Sequence, residues 1–308
     1  MANVKAVNPV EKEFLDQLVS HRLLQPTGVP GLYGRSGVFE SIIEGIDRLV
    51  TRTGKADNAD VWRFPPVVTR KNYEKSEHLK SFPDLVGVVN SFRGTDAEHH
   101  ALLAKLHAGE DWSKDLTHTD VVMTPAACYP VYPTLTGTLP DNDGKLFDVM
   151  SYCFRHEPSG DPARMQMFRM HEHVRVGSPG AVKAWRDVWF DRAQEVVAAL
   201  GIPAVPAVAN DPFFGRGGKM MKATQREQEL KFEFVVPVCS TENPTAIISL
   251  NMHMDHFGHI FGIKTKDGEW AHTSCIGFGL ERTTLAMLKT HGLNVAEWPK
   301  SVRENLGL

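Results

Sequence analysis

Arg155, Glu157, Arg164 and Phe168 fall in one short stretch, Phe154-Arg-His-Glu157, a polar loop, then Arg164-Met-Gln-Met-Phe168-Arg-Met-His-Glu172. On an extended strand residues i and i+2 share a face. Arg155 and Glu157 are therefore expected to point the same way, one toward a phosphate and the other toward a base edge. Phe168 offers a flat apolar face for a purine, with a second cation four residues before it. Guanidinium groups suit phosphate because they are planar, permanently charged and able to bind two oxygens at once. These are the parts needed to bend a nucleoside triphosphate over a sheet and attack its α-phosphate. Further along, Gly277-Phe-Gly279-Leu-Glu281-Arg282 adds a third arginine and two positions without side chains, where a nucleotide could press on the backbone. The run is not a dinucleotide fingerprint, since the third glycine is missing, and the chain has no Walker lysine.

A second constellation is of metal-ligand type. Cys128 lies in Thr124-Pro-Ala-Ala-Cys-Tyr-Pro-Val-Tyr132, Glu172 closes the first stretch and Cys275 opens the second. Thiolate and carboxylate suit a borderline-soft cation such as zinc, and three protein ligands leave a fourth position open. Spacing alone does not bring the three together, and a lone cysteine reads more readily as a small buried hydrophobe. Strand alternation puts His171 and His173 on the face opposite Glu172, so they cannot share its metal. His253, Asp255 and His259 could line one strand face as an independent site, or line a pocket or the surface. Cys153 and Cys239 read as core.

The elements that must position these residues follow from pattern. Phe39, Ile42, Ile43, Ile46, Leu49 and Val50 recur at helical spacing between Val38 and Val50, and Val61-Trp-Arg-Phe64 then reads as a strand stopped by Pro65-Pro66. Residues 76–115 read as partly helical surface. Ser178 and Pro179 open a long helix and Gly201 with Pro203 stops it. Its core stripe is expected at Val182, Trp185, Val188, Trp189, Val196, Val197 and Leu200. Lys231–Val238 and Ala246–Met254 read as strands, and a last helix runs from about Glu281 to His291, ended by Gly292. Strands thus dominate the middle, and the fold class is α+β with a mostly antiparallel sheet flanked by helices. Composition is that of a globular protein, 42% hydrophobic and 23% charged, with a formal net charge of −3. No apolar run approaches the ~18 residues of a membrane span. The N-terminus has no apolar core of signal-peptide type and four unevenly spaced cysteines form no disulfide framework, so a reducing cytoplasm is expected. The absence of net basicity weakens the case for a nucleic-acid partner.

Taken in order, these stretches resemble the motifs of class II aminoacyl-tRNA synthetases: motif 1 at about 38–66, motif 2 at about 152–174, motif 3 at about 273–291. The resemblance implies one catalytic domain over 1–308 and a homodimer joined through motif 1. Arg155 would bind the α-phosphate and stabilise its transition state, and Glu157 would accept from the adenine amino group. Phe168 would stack on the adenine with Arg282 on its opposite side. Arg164 and Arg282 would reach the γ-phosphate, with Gly277 and Gly279 clearing the floor. Segments around Asn210–Phe214, Leu230–Glu233 and Ser249–Asp255 resemble seryl-tRNA synthetases, where Glu and Ser hold magnesium on the phosphates. Thr245 and Ile248 stand near those places here, and Glu233 is the remaining candidate.

Methanogenic-type seryl-tRNA synthetases and their truncated relatives, the amino acid:[carrier protein] ligases, hold an active-site zinc through Cys, Glu and Cys. Cys128, Glu172 and Cys275 match those places. In that family the zinc takes the amino acid's α-amino group. Motif 1 already occupies the region before motif 2, and no long heptad hairpin for tRNA is visible. The resemblance to the carrier-protein ligases covers nearly the whole chain. It implies activation of a small amino acid, glycine or alanine, by ATP with Mg2+ and Zn2+. Transfer to the phosphopantetheine thiol of a carrier protein would follow, releasing AMP and pyrophosphate. Carrier proteins are usually acidic, so Phe214 and Arg216 in Phe214-Gly-Arg-Gly-Gly-Lys219-Met-Met-Lys222 are candidates for docking one. The alternatives are a seryl-tRNA synthetase-like enzyme that charges tRNA, or a silent paralogue serving as a binding module.

Overall fold

The computed structural model describes residues 8–209 and 230–308. Phe214 and Arg216, with the rest of the expected docking loop, lie outside the described residues. Helix α1 (Pro9–Ser20) is opened by a capping box between Asn8 and Glu11. Helix α2 (Gly37–Gly54) begins where the Ser36 hydroxyl accepts from the Phe39 N–H, and it buries Phe39, Ile42, Ile43, Ile46, Leu49 and Val50. Each such side chain removed from water is worth roughly 1.5–3 kcal/mol, which is what holds α2 in place. Helix α3 (Pro179–Leu200) has the expected Ser178 cap, and it ends at Gly201 in the left-handed region, φ 61°. Its stripe differs from expectation at one position: Val188 is 48% exposed and Ala193 is buried in its place. The 3.6-residue period carries Val188 past the edge of the buried arc. Helix α4 (Leu280–His291) follows directly on the last strand of the main sheet.

That sheet has seven strands: β1 (Asp60–Trp62), β2 (Lys145–Phe154), β3 (Met167–Gly177), β4 (Val205–Val208), β5 (Lys231–Val236), β6 (Thr245–Met254) and β7 (His272–Gly279). Their order is β4-β5-β6-β7-β3-β2-β1, antiparallel throughout except for β1, which pairs parallel to β2 at the edge. The expected α+β class with a mostly antiparallel sheet is what the chain forms. Alternation gives the central strands two faces. Phe234, Ile248, Leu250, Ile276 and Phe278 turn to one side and join the core of α2, α3 and α4. Glu233, Ser249, Asn251, Cys275, Gly277, Met170 and Glu172 turn to the other, where a cleft opens.

An ionic hub ties β3, α2 and α4 together on the helical side. Arg169 on β3 donates to Glu40 on α2 at 2.7 and 2.8 Å and to Glu281 on α4 at 2.9 Å, while Arg35 stands 3.3 Å from Glu281. Between β1 and β2 the chain forms a three-stranded antiparallel sheet of Val67–Thr69, Thr117–Met123 and Val88–Ser91. The helix Asp96–Ala108 beside it buries no residue, in keeping with the surface character read from its sequence.

Candidate active site

The cleft floor is a grid set by strand register. Glu233, Ser249, Gly277 and Glu172 stand in one row across β5, β6, β7 and β3; Lys231, Asn251 and Cys275 stand in the next. Arg155, Glu157, Phe168, Gly279 and Arg282 line the same cleft, as do Cys128, Glu172 and Cys275. Arg164 is not among the lining residues. It is 46% exposed and reaches the group through a 3.2 Å ion pair with Glu157.

Arg155 and Glu157 sit differently from expectation. β2 ends at Phe154, and the backbone then folds tightly, the Glu157 N–H donating to the Arg155 carbonyl at 2.7 Å. The two therefore share the cleft through a turn rather than through strand alternation. Arg155 donates from Nε to the Pro125 carbonyl at 3.1 Å, and its guanidinium lies 5.5 Å from the Phe168 ring centroid. Arg282 is anchored by the carbonyls of Ala163 at 2.9 Å and Ala246 at 3.3 Å. Burial, with Arg155 as a like charge nearby, lowers its pKa. The two glycines differ. A β-carbon at Gly279 would meet only ordinary contacts, so its absence leaves room in the cleft; one at Gly277 would press on Met170 and Glu172.

Cys128, Glu172 and Cys275 are buried together, with ligand atoms within 4.8 Å of one another. The loop before Cys128 is pinned by the Ala127 N–H, which donates to Glu172 Oε1 at 2.8 Å. Glu172 Oε2 has no hydrogen-bond partner. Asn251 donates to Cys275 Sγ at 3.6 Å, and His253 Nε2 lies 3.7 Å from the same sulfur. A hydrogen bond from the Cys128 thiol holds the Cys275 thiol below its usual range, and the same bond with burial pushes Cys128 up. Burial and the Cys275 charge push Glu172 up to about 8. Soft sulfur donors, a carboxylate and an orphaned buried oxygen converging at one point fit a zinc-type cation better than a hard one such as magnesium.

Sequence reading missed part of this floor. Ser249 Oγ lies 3.4 Å from Glu233 Oε1, and Lys231 Nζ lies 3.1 Å from that oxygen. The signal was available: Ile247, Ser249, Asn251 and His253 alternate along β6 and all line the cleft. The second wall, with His78, Phe82 and Leu85 from the region between β1 and β2, carried no signal of this kind. Thr245 and Ile248, near which the ligands were expected, are not among the cleft residues, since Ile248 faces the core. The independent site at His253, Asp255 and His259 does not form among the described residues. The strand ends at Met254, φ 53°, and Asp255 stands at the start of the helix His256–Phe261, which breaks the alternation. Cys153 is core as expected, whereas Cys239 is only half-buried. His171 and His173 lie on the helical face, away from Glu172.

No family model matches the chain. Among characterised proteins, amino acid–[acyl-carrier-protein] ligase 2 of Bradyrhizobium diazoefficiens is 45% identical over 301 residues, covering 97% of this chain and 90% of the relative. The type-2 serine–tRNA ligase of Methanococcus maripaludis is 30% identical over 284 residues, covering 87% of this chain and 54% of the relative. Among solved structures, M. kandleri seryl-tRNA synthetase in complex with A. aeolicus tRNASec superposes with a TM-score of 0.81 at 20% identity, over 99% of this chain and 61% of that one. The fold is that of a class II aminoacyl-tRNA synthetase catalytic core.

Proposed function

The chain belongs to the amino acid–[acyl-carrier-protein] ligase family, and from that premise we propose that it activates a small amino acid with ATP and passes it to a carrier protein. One observation carries the reading. Phe168 and Glu172 alternate along β3 and Cys275, Gly277 and Gly279 along β7, and Arg155, Arg282 and Cys128 line the same cleft from the adjoining turn, helix and loop, so a short ligand can touch both ends. The amino acid lies with its amine at the cysteine end and its carboxylate toward Arg155.

ATP takes the other end. Phe168 supplies the stacking face, Glu157 the acceptor for the adenine amino group, and Arg282 the cation on its far side. Arg164 is released from Glu157 to meet the γ-phosphate. Arg155 meets the charge that develops on the α-phosphate as the carboxylate attacks and pyrophosphate leaves. No general base is required, because the carboxylate is already ionised. Cys128, Glu172 and Cys275 would hold Zn2+, whose chemistry when bound is that of a Lewis acid favouring a free amine. Glu233 and Ser249 are the oxygen donors placed for the Mg2+ that accompanies ATP. A phosphopantetheine thiol then displaces AMP. Glycine or alanine is the substrate by family resemblance, and the working unit is a homodimer through the exposed edge at Val61 and Trp62, 64% and 55% exposed.

Pyrophosphate exchange with each amino acid in turn, followed by transfer to holo-carrier protein or to tRNA, tests the reading. The expected result is exchange with glycine or alanine, abolished by zinc chelation and restored by zinc, and transfer to the carrier thiol. Absence of exchange with every amino acid overturns the adenylate route. Exchange untouched by thorough zinc removal overturns the metal assignment. Transfer to tRNA in preference to the carrier would place the chain with its serine–tRNA ligase relatives.

A further inference from the structure

The face of β3 opposite Glu172 carries a second group of metal-ligand type, independent of the cleft. Asp148 on β2 is in register with His173 on β3, and His171 lies two residues before it, so all three point to one side. They are buried, at 4%, 2% and 0% exposure respectively, and their ligand atoms lie within 4.8 Å of one another. Two features single the group out. His173 has both ring nitrogens buried and neither has a hydrogen-bond partner. An unsatisfied buried polar group costs about 1–3 kcal/mol, and a dry core does not keep such a group without a reason. His171 Nε2 stands 3.2 Å from Asp148 Oδ1 yet out of line for a hydrogen bond.

Around these lies a supporting shell. His171 Nδ1 is 2.7 Å from Asp47 Oδ1 on α2. A histidine whose Nδ1–H donates to a carboxylate presents its Nε2 lone pair, which is the arrangement that orients metal-bound imidazoles. The two imidazole rings stack with centroids 5.3 Å apart and planes 23° from parallel, and the Trp189 ring on α3 covers His173 with centroids 4.3 Å apart. Arg63 takes one oxygen of Asp148 at 2.9 Å. A carboxylate offers about four lone-pair sites, so the ion pair leaves capacity for a ligand bond.

We propose that Asp148, His171 and His173 bind a divalent transition metal of zinc type beneath α2 and α3, as a structural centre separate from the catalytic cleft. Two imidazoles and a carboxylate match that class of ion. The site is sealed from solvent, so it fills as the chain folds and ties β2 to β3 beneath the two helices.

The test uses the full chain with the cleft ligands removed. Cys128→Ser/Cys275→Ser protein is equilibrated with zinc, desalted, and its metal content per chain measured by mass spectrometry. One equivalent should remain, and adding either His173→Phe, which keeps a ring under Trp189, or the isosteric Asp148→Asn should bring it to near zero. A double-serine protein that retains no metal overturns the proposal. So does an equivalent that survives both added substitutions. Neither result tests the adenylate route, which rests on the cleft residues.

Discussion

Glu172 and its neighbours His171 and His173 differ by one step along β3 and live in opposite surroundings. Glu172 looks into a cleft lined by polar and apolar side chains together, Arg155, Cys128, Cys275 and Phe168 among them; the histidines look into packed helices. The two-residue period of a strand makes this possible, since a single strand can serve a reacting site and a core at once. The comparison teaches where tolerance lies. Side chains that border the open space of the cleft, such as Ser249, can change with less effect on packing, because that space is reserved for ligand. Side chains over the helices cannot, because interiors are filled to crystal-like density.

The largest expected effect is on the helical face. Trp189 is fully buried, stacks on His173 and donates to Asp57 at 2.9 Å. Trp189→Ala should destabilise the fold by about 3–5 kcal/mol in denaturant titrations. A loss under ~1 kcal/mol would mean that this face repacks as freely as the cleft, and the contrast would fail.

Arg155→Ala is the counterpart on the cleft side. Removing a cation aimed at developing charge should lower pyrophosphate exchange about 10²–10³-fold, ~3–4 kcal/mol of barrier, with the unfolding midpoint little moved. A matching fall in stability would show Arg155 to be a structural residue held by Pro125 and Phe168.

The same contrast explains what could be read from the chain. Helices α2 and α3, the caps of α3 and most of their stripes were legible because period and capping chemistry are local. The cleft residues were legible as a set because Arg155, Phe168, Glu172, Cys275 and Arg282 fall in recognisable motifs. Their spatial meeting was not, since it depends on register between β6, β7 and β3, a long-range property. Ser249 escaped for that reason: only pairing with Glu233 across the ladder gives it meaning. The turn at Arg155 escaped because nothing in Phe-Arg-His-Glu marks where the strand stops. Val188 shows the limit of periodicity itself, which gives the direction of a stripe but not its width.

Gly54 is a finer probe of the packed side. It closes α2 against His173, and a β-carbon there would run into the imidazole ring. Backbone entropy alone would make Gly54→Ala stabilising by about 0.4–1 kcal/mol. Overpacking costs about 1–3 kcal/mol, so the expected net is a modest loss of stability, read as a lower denaturation midpoint at unchanged exchange activity. A gain would mean the ring moves aside easily and that the His171–His173 group is not held in a fixed geometry.

The smallest expected effect lies back in the cleft, at Ser249. Its hydroxyl sits 3.4 Å from Glu233 Oε1, an oxygen also 3.1 Å from Lys231 Nζ, and it contributes little to packing because the ligand space lies above it. Ser249→Ala should therefore leave the unfolding midpoint within about 0.5 kcal/mol of the parent. If Ser249 and Glu233 together receive the magnesium that accompanies ATP, the variant loses one oxygen donor to a hard cation. Exchange should then fall roughly 10-fold, equivalent to ~1.4 kcal/mol, at limiting magnesium and recover as magnesium is raised. A loss that magnesium does not restore would assign the hydroxyl to ATP or the amino acid instead. No loss at any magnesium concentration would leave Glu233 and Lys231 as a plain ion pair on the cleft floor, and the metal reading of that row would fall while the cysteine end stood untouched.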